Sequence, residues 1–198
     1  IGLSLVGSEM CIRDRYTKDY LLDGKIIYFQ PKDGYRSGIE PIILASKAKA
    51  SDLNILDLGA GCGPISLIVA YRFPKSSIVG IEKNNIHYNL ALRNKEENNF
   101  INLEYFNKDI SQFYSQFDNY FDLILTNPPF FFENTVIKSS NLSIRDAKYI
   151  TKKKLDLWFH SLFKYLSPLG KAYIINRYEN LGYMRSFFSK MLCELTIT

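Results

Sequence analysis

The sequence has few of the residues that build metal clusters, disulfide frameworks or membrane spans. Three of its 198 residues are cysteine (Cys11, Cys62 and Cys193), and they lie far apart without paired spacing. That pattern fits neither a zinc site nor a disulfide scaffold, so no metal is expected and the setting is read as reducing and cytoplasmic. The two histidines, His87 and His160, fall in helical contexts and are read as surface or packing residues. No apolar run approaches the roughly 20 residues that cross a bilayer. Internal repeats and low-complexity linkers are absent as well. Hydrophobic residues at 46% and charged residues at 23% are ordinary globular proportions, which exclude a disordered or fibrous chain. A net charge of +5 is compatible with a polyanionic partner and equally with none.

The first fifteen residues, "IGLSLVGSEMCIRDR", have no starting methionine and no basic leader or cleavage site. They resemble a peptide that recurs in conceptual translations of sequencing reads carrying adapter sequence. Residues 1–15 are therefore set aside as a non-native segment, and residues 16–198 are expected to form one domain. A monomer is expected.

Along that domain "GKIIYF" (Gly24 to Phe29) has strand composition and "QPKDGYRSG" after it has turn chemistry, so a hairpin or short strand is expected there. "EPIILASKAKA" offers Glu40 as N-cap and Pro41 at the first helical position, predicting a helix from Pro41 to about Ala50. Strands are then predicted at 55–58, 77–81, 103–106 and 121–126, with helices at 64–72 and 84–94. Short apolar runs alternating with helical segments imply an α/β fold, a mostly parallel sheet with helices on both faces. In "LDLWFHSLFKYL", Leu155, Trp158, Phe159, Leu162, Phe163 and Leu166 make one wide apolar helical face. "SPLG" ends that helix, "KAYIINR" reads as a strand, "NLGYMRSFFSKML" as a helix and "CELTIT" as the start of a last strand.

The strongest chemical signal is "ILDLGAGCGPISLIVA". A buried strand ends at Asp57 and Leu58, and Gly59, Gly61 and Gly63 then alternate before Pro64 opens a helix. Glycines there let the backbone bend sharply and approach a ligand closely. The spacing is G-x-G-x-G, whereas the dinucleotide fingerprint is G-x-G-x-x-G, which counts against a nicotinamide-dependent oxidoreductase. Nineteen residues after Gly63, at the end of the next strand, Glu82 is placed to accept ribose hydroxyls. Asp109, in "NKDI", follows the third strand, where a carboxylate receives an adenine amine beside Ile110 or serves simply as a turn residue. "LILTNPPFFFEN" puts Asn127 at the carboxyl end of another strand. Pro128 and Pro129 cannot continue the ladder and hold the chain rigidly away from the sheet. The Asn127 side-chain oxygen and the Pro128 carbonyl can accept both hydrogens of a planar amino group, with Phe130 as a stacking surface. The bland reading is a proline-terminated strand whose aromatics fill a core gap.

Taken together, "DLGAGCG", "GIE", "KDI" and "NPPF" resemble the class I S-adenosylmethionine-dependent amino-methyltransferases, which have a Rossmann-like fold. The flanking blocks "YLLDGKIIYFQPKDGYRSGIEPIILAS" and "NLSIRDAKYITKKKLDLWFHSLFKYLSPLGKAYIINR" narrow this to the bacterial tRNA(Val) adenine-N6-methyltransferase family, which modifies the adenine at anticodon-loop position 37. The resemblance implies S-adenosylmethionine as cofactor and tRNA as substrate. It further implies that Asp57, Gly59, Ala60, Gly61 and Gly63 belong to the methionine-binding loop. Glu82 and Lys83 would lie at the ribose, Asp109 and Ile110 at the adenine, and Gly38 to Glu40 would close over the methionine moiety. Asn127, also beside the cofactor, would position the target base with Pro128, Pro129 and Phe130. Glu40 stands where the family more often has Asp. The family's last strand, inserted antiparallel, is missing after Thr198, so a C-terminal truncation is expected.

Arg36, Arg145, Lys148, Lys152, Lys153 and Lys154 are candidate RNA contacts, because basic residues at a helix N-terminus oppose the macrodipole and are not explained by helix stability. A solvated basic loop explains them equally well. The alternatives that remain are a methyltransferase for another planar nitrogen, rRNA guanine N2 or protein glutamine N5, and an inactive truncated fragment that binds RNA.

Overall fold

The alternation of short apolar runs and helical segments resolves into a parallel sheet with helices on both faces. The protein was analysed as a computed structural model, which describes residues 15–112, 114–132, 149–191 and 196. In chain order these form β1 (Tyr16–Leu21), β2 (Ile26–Pro31), α1 (Glu40–Ser46), β3 (Asn54–Leu58), α2 (Pro64–Arg72), β4 (Ser77–Ile81), α3 (Asn85–Glu97) and β5 (Leu103–Phe106). Then follow β6 (Phe121–Thr126), β7 (Phe131–Phe132), β8 (Tyr149–Ile150), α4 (Lys152–Tyr165), β9 (Leu166–Ile174) and α5 (Leu181–Ser189). The main sheet has the order β5-β4-β3-β6-β9 and every pairing in it is parallel. Because successive side chains alternate, Ile55, Ile78, Leu123 and Leu125 join the core under α1, α2 and α3. Leu56, Leu58, Val79, Ile81 and Ile124 join the other core, under α4 and α5.

Three expectations change. The hairpin partner of β2 precedes it: β1 and β2 pair antiparallel around Leu22, Asp23 and Gly24, all at positive φ, and the turn therefore lies at "LDG" rather than after the strand. Helix α1 stops at Ser46, four residues early, because the Arg72 guanidinium donates to the Ala45 carbonyl (2.6 Å) and satisfies an end that another helical turn would have covered. Its N-cap is Ile39, with Glu40 already inside the helix and making no cap bond. Finally, "SPLG", expected to end the helix ahead of a separate strand at "KAYIINR", lies within β9 itself. The register against β6 shifts between Phe121 and Leu123, and a Cβ on Gly170 would stand 2.8 Å from the Phe121 carbonyl oxygen, so only glycine passes there. The expected strand at Cys193–Thr198 falls almost wholly outside the described residues.

The hairpin is joined to the body by α3 in an unusual way. On β2 the outward-facing backbone groups of Ile27 and Phe29 have no third strand to pair with. Asn94 accepts from the Phe29 N–H (2.6 Å) and donates to its carbonyl (2.9 Å), and Asn98 does the same for Ile27 (2.8 and 2.7 Å). Four helical residues rise about 6 Å and two strand residues about 6.8 Å, so the two amides fall in register with alternate residues of the strand. Asn94 is fully buried and also donates to the Cys62 carbonyl (2.9 Å). One side chain thus ties the hairpin to the glycine loop. Replacing Asn94 with Ala strands three buried backbone groups and should cost about 3–5 kcal/mol, against about 1–2 kcal/mol for Asn98→Ala, whose site is wetter. Urea denaturation measures both, and equal losses would contradict the central role of Asn94.

Candidate active site

In the sheet the strand order reverses between β3 and β6, which opens a crevice beyond their carboxyl ends. Above β3 the chain reverses through left-handed glycines, with φ of 80° at Gly59 and 85° at Gly63. The Ile81 carbonyl receives both the Gly59 and Ala60 N–H groups (3.0 and 2.8 Å), so the end of β4 clamps the turn. Side chains are excluded from inside as well: a Cβ on Gly63 would collide with the Tyr105 phenol, and one on Gly59 would stand 2.5 Å from Cζ2 of Trp158. The Gly61 N–H donates to Oε2 of Glu82 (2.8 Å), and the Asn84 N–H donates to Oε1 (2.7 Å).

Beneath the loop Asp57 is fully enclosed. Its Oδ2 accepts from the Ser66 N–H (3.1 Å) and the Ser66 hydroxyl (2.8 Å), anchoring the first turn of α2, while Oδ1 has no hydrogen-bond partner. Burial pushes its carboxyl up to about 7; the Ser66 bonds oppose this and the nearby Glu82 charge adds to it. Burial also raises the Cys62 thiol, again helped by Glu82, which leaves Cys62 a small neutral side chain. His87 is buried too, and desolvation lowers its pKa against the pull of Glu82. Asp109 differs: its carboxyl lies below the usual range because bonds from Ser111 and the charges of Lys83 and Lys154 outweigh the opposing effect of burial.

A cavity of about 620 Å³ spans the crevice. Gly59, Ala60 and Gly61 line it from the loop, Glu82 and Lys83 from the end of β4, and Asp109 and Ile110 from the end of β5. Asn127, Pro128, Pro129 and Phe130 complete the opposite wall. Eleven residues singled out in the sequence for cofactor or target base therefore share one cavity. Gly38, Glu40, Asp57 and Gly63 do not line it. Glu40 nevertheless has a buried, unpartnered Oε2, and its charge bears on Tyr35, a lining phenol whose pKa burial and then Glu40 raise. The Asn127 Oδ1 is likewise buried and without a hydrogen-bond partner among the described residues. Among the basic candidates, Lys154 reaches the cavity wall, whereas Lys152 and Lys153 are exposed beside it in sequence. Arg36 is committed elsewhere, bonding Asp19 (2.9 Å), Thr17 (2.7 Å) and the Pro31 carbonyl (3.0 Å). Arg145 and Lys148 lie outside the described residues. Among the described residues no cluster of three His, Cys, Asp or Glu is placed to hold a metal ion, and no helix is long and apolar enough to cross a membrane.

Three contributors escape sequence reasoning. Asn180 is buried and donates to the Phe130 carbonyl (2.7 Å) and to Asn176 Oδ1 (2.6 Å), holding the aromatic end of the clamp from fifty residues away. Tyr35 comes from the segment after the hairpin, and Trp158 from the face of α4 read as core. Only the NH-bearing ring of Trp158, the single tryptophan, hinted at a polar engagement.

A parallel sheet whose crevice joins a glycine loop, an acidic strand end and an Asn-Pro-Pro-Phe turn is the Rossmann-like fold of methyltransferases. TYW2 of P. horikoshii, solved with MeSAdo, superposes with a TM-score of 0.64 over 90% of this chain and 60% of that one, at 18% identity. The profile of the methyltransferase small domain matches residues 41–159, and the chain belongs to that family. It is 30% identical over 154 residues to a tRNA1(Val) (adenine(37)-N6)-methyltransferase of Histophilus somni, covering 76% of this chain and 64% of that protein. It is also 30% identical over 129 residues to a release factor glutamine methyltransferase of Buchnera aphidicola, covering 65% and 42%. The chain spans less than two thirds of either relative's length.

The Asp57 environment has a pH signature. Its folded pKa of about 7 exceeds the ordinary 3.8, so the neutral acid stabilises the fold fully below about pH 4, and that stabilisation is lost as pH rises through about 7. Between pH 5 and 8 the thermal midpoint of the wild type should fall by several degrees more than that of Asp57→Asn, as scanning calorimetry at stepped pH would record. Parallel curves for the two proteins would mean that Asp57 is ionised throughout.

Proposed function

We propose that this cavity binds S-adenosylmethionine and that the protein transfers its methyl group to N6 of an adenine in tRNA, position 37 of a valine tRNA by similarity to the Histophilus protein. The observation that carries the reading is the buried Oδ1 of Asn127, which has no hydrogen-bond partner among the described residues, in a cavity also lined by the glycine loop. An acceptor left unpaired in a buried position costs free energy unless a ligand supplies the donor. A planar exocyclic amine supplies two donors, one for Oδ1 and one for the Pro128 carbonyl, and Phe130 supports the ring. S-adenosylmethionine contributes an electrophilic methyl on a sulfonium when bound.

The chain's own residues do the rest by positioning. Glu82 keeps lone pairs beyond those given to Gly61 and Asn84, which suits vicinal ribose hydroxyls. Asp109 gives Oδ1 to Ser111 (2.7 Å to the hydroxyl) and retains Oδ2 for an adenine amine, with Ile110 against the base. Hydrogen bonds from the target amine to Asn127 and Pro128 orient the nitrogen lone pair toward the methyl donor, and no charged base is required for attack. An adenine in a loop reaches this clamp more cheaply than one in a duplex, since less stacking is lost. Lys154 at the rim, with Lys152 and Lys153, suits the phosphates of an RNA partner, and such a substrate places the protein in the cytoplasm.

Similarity to the Buchnera enzyme supports a second reading, since a glutamine side-chain amide presents the same planar NH2. Incubation with methyl-labelled S-adenosylmethionine and tRNA lacking the modification, followed by digestion to nucleosides, should put label in N6-methyladenosine. Label in a release-factor glutamine instead would favour the second reading. Asn127→Ala should lower turnover by about 10²–10³-fold, the scale for losing one transition-state contact, while cofactor affinity measured by calorimetry changes less than about threefold. Equal losses in both would remove Asn127 from the acceptor clamp.

A further inference from the structure

Trp158 occupies a position that the apolar pattern of α4 assigns to the core, yet it does not behave as core. Leu155, Phe159 and Leu162 on the same face are buried, while Trp158 is half-buried and forms part of the cavity wall. Its indole N–H donates to the Thr126 hydroxyl (2.8 Å), and that hydroxyl donates to the Leu58 carbonyl (2.6 Å). A hydroxyl has one proton, so the direction of this chain is fixed.

Leu58 and Thr126 are register partners on the adjacent strands β3 and β6. Each is the last residue before its strand departs, Leu58 into Gly59 and Thr126 into Asn127. The chain of hydrogen bonds therefore sits at the fork between the glycine loop and the acceptor clamp. On the loop side the six-membered ring of the indole fills the space where a Gly59 side chain would begin, with Cζ2 and Cη2 standing 2.5 and 2.7 Å from an ideal Cβ. Only tryptophan combines a second ring that reaches Gly59 with an N–H that reaches Thr126.

We propose that Trp158 is a positioning residue that sets the separation between the glycine loop and the Asn127 clamp, and that its indole is a wall shared by cofactor and acceptor. This rests on the methyltransferase reading above. The role explains why a large amphipathic ring occupies a half-buried site where leucine would pack. It also implies that Thr126 acts through the same contact, so that the two side chains form one device.

Because Trp158 is the only tryptophan, its emission reports on this wall without labelling. Titration of the intact chain with S-adenosylhomocysteine should change the emission saturably, with the same midpoint as the heat of binding. Trp158→Phe and Thr126→Val should each slow single-turnover methyl transfer about 10–100-fold, the range expected for misplacement by up to about 1 Å. Calorimetric affinity for S-adenosylhomocysteine should fall by a smaller factor than transfer does, and the double variant should transfer no more slowly than the worse single one. Heat of binding without a change in emission would overturn the proposal alone, as would wild-type transfer by Trp158→Phe or additive losses in the double variant. Absence of binding heat in the wild type would overturn the cofactor reading, and the proposal with it.

Discussion

The rest of the site depends on the left-handed turn from Gly59 to Gly63. A parallel strand buried on both faces must leave the sheet with unpaired backbone groups, and here the exit is so tight that several neighbours close on it at once. The Ile81 carbonyl takes two of its N–H groups, Glu82 takes the Gly61 N–H, and Asn94 holds the Cys62 carbonyl. Tyr105 and Trp158 occupy the places of the missing Gly63 and Gly59 side chains. The grips come from four elements, so the turn is where β4, β5, α3 and α4 are brought into mutual registration.

That convergence explains the hairpin at the edge of the domain. β1 and β2 form a two-stranded sheet that is marginal by itself, and α3 stabilises it through amides that imitate a strand. Asn94 serves the hairpin and the loop with one planar group, so the hairpin's position is transmitted to the backbone of Cys62. The segment after the hairpin carries Tyr35 and Glu40 to the cavity and its margin. Hairpin and glycine loop are therefore tied together through α3.

Much of this was legible in the sequence because it depends on local chemistry. Glycines at alternate positions after a strand, an acid at the end of the next and prolines after Asn127 each state a backbone requirement that few other arrangements satisfy. The central strands and α2 followed from composition for the same reason. What escaped depends on partners distant in sequence. Asn180 reads as an ordinary helix-start residue until Phe130 is seen beside it, and Asn94 reads as the end of a helix and Asn98 as a polar residue beyond it until β2 is placed against them. The early end of α1 reflects Arg72, twenty-seven residues away, and Trp158 carried the same apolar signal as Phe159 although only one of them is core. The "LDG" turn was local and readable; the stronger turn chemistry after Phe29 drew the assignment to the wrong side of the strand.

The carboxylates show how one cleft separates its charges. Asp57 and Glu82 are close enough for the charge of one to raise the other's pKa, and deep burial resolves the conflict by keeping Asp57 largely neutral below about pH 7. Glu82 stands at the cavity wall, where the Gly61 and Asn84 N–H groups hold its carboxyl group in place. At the other end Asp109 stays ionised with Lys83 and Lys154 nearby. Those lysines offset its charge, and Lys154 sits on both the cavity wall and the exposed start of α4. Carboxyl groups and lysines thus share the cavity lining, and Ile110 and Trp158 add apolar surface to it. A cavity that was acidic throughout would favour cations and repel anions, whereas one that was basic throughout would do the reverse.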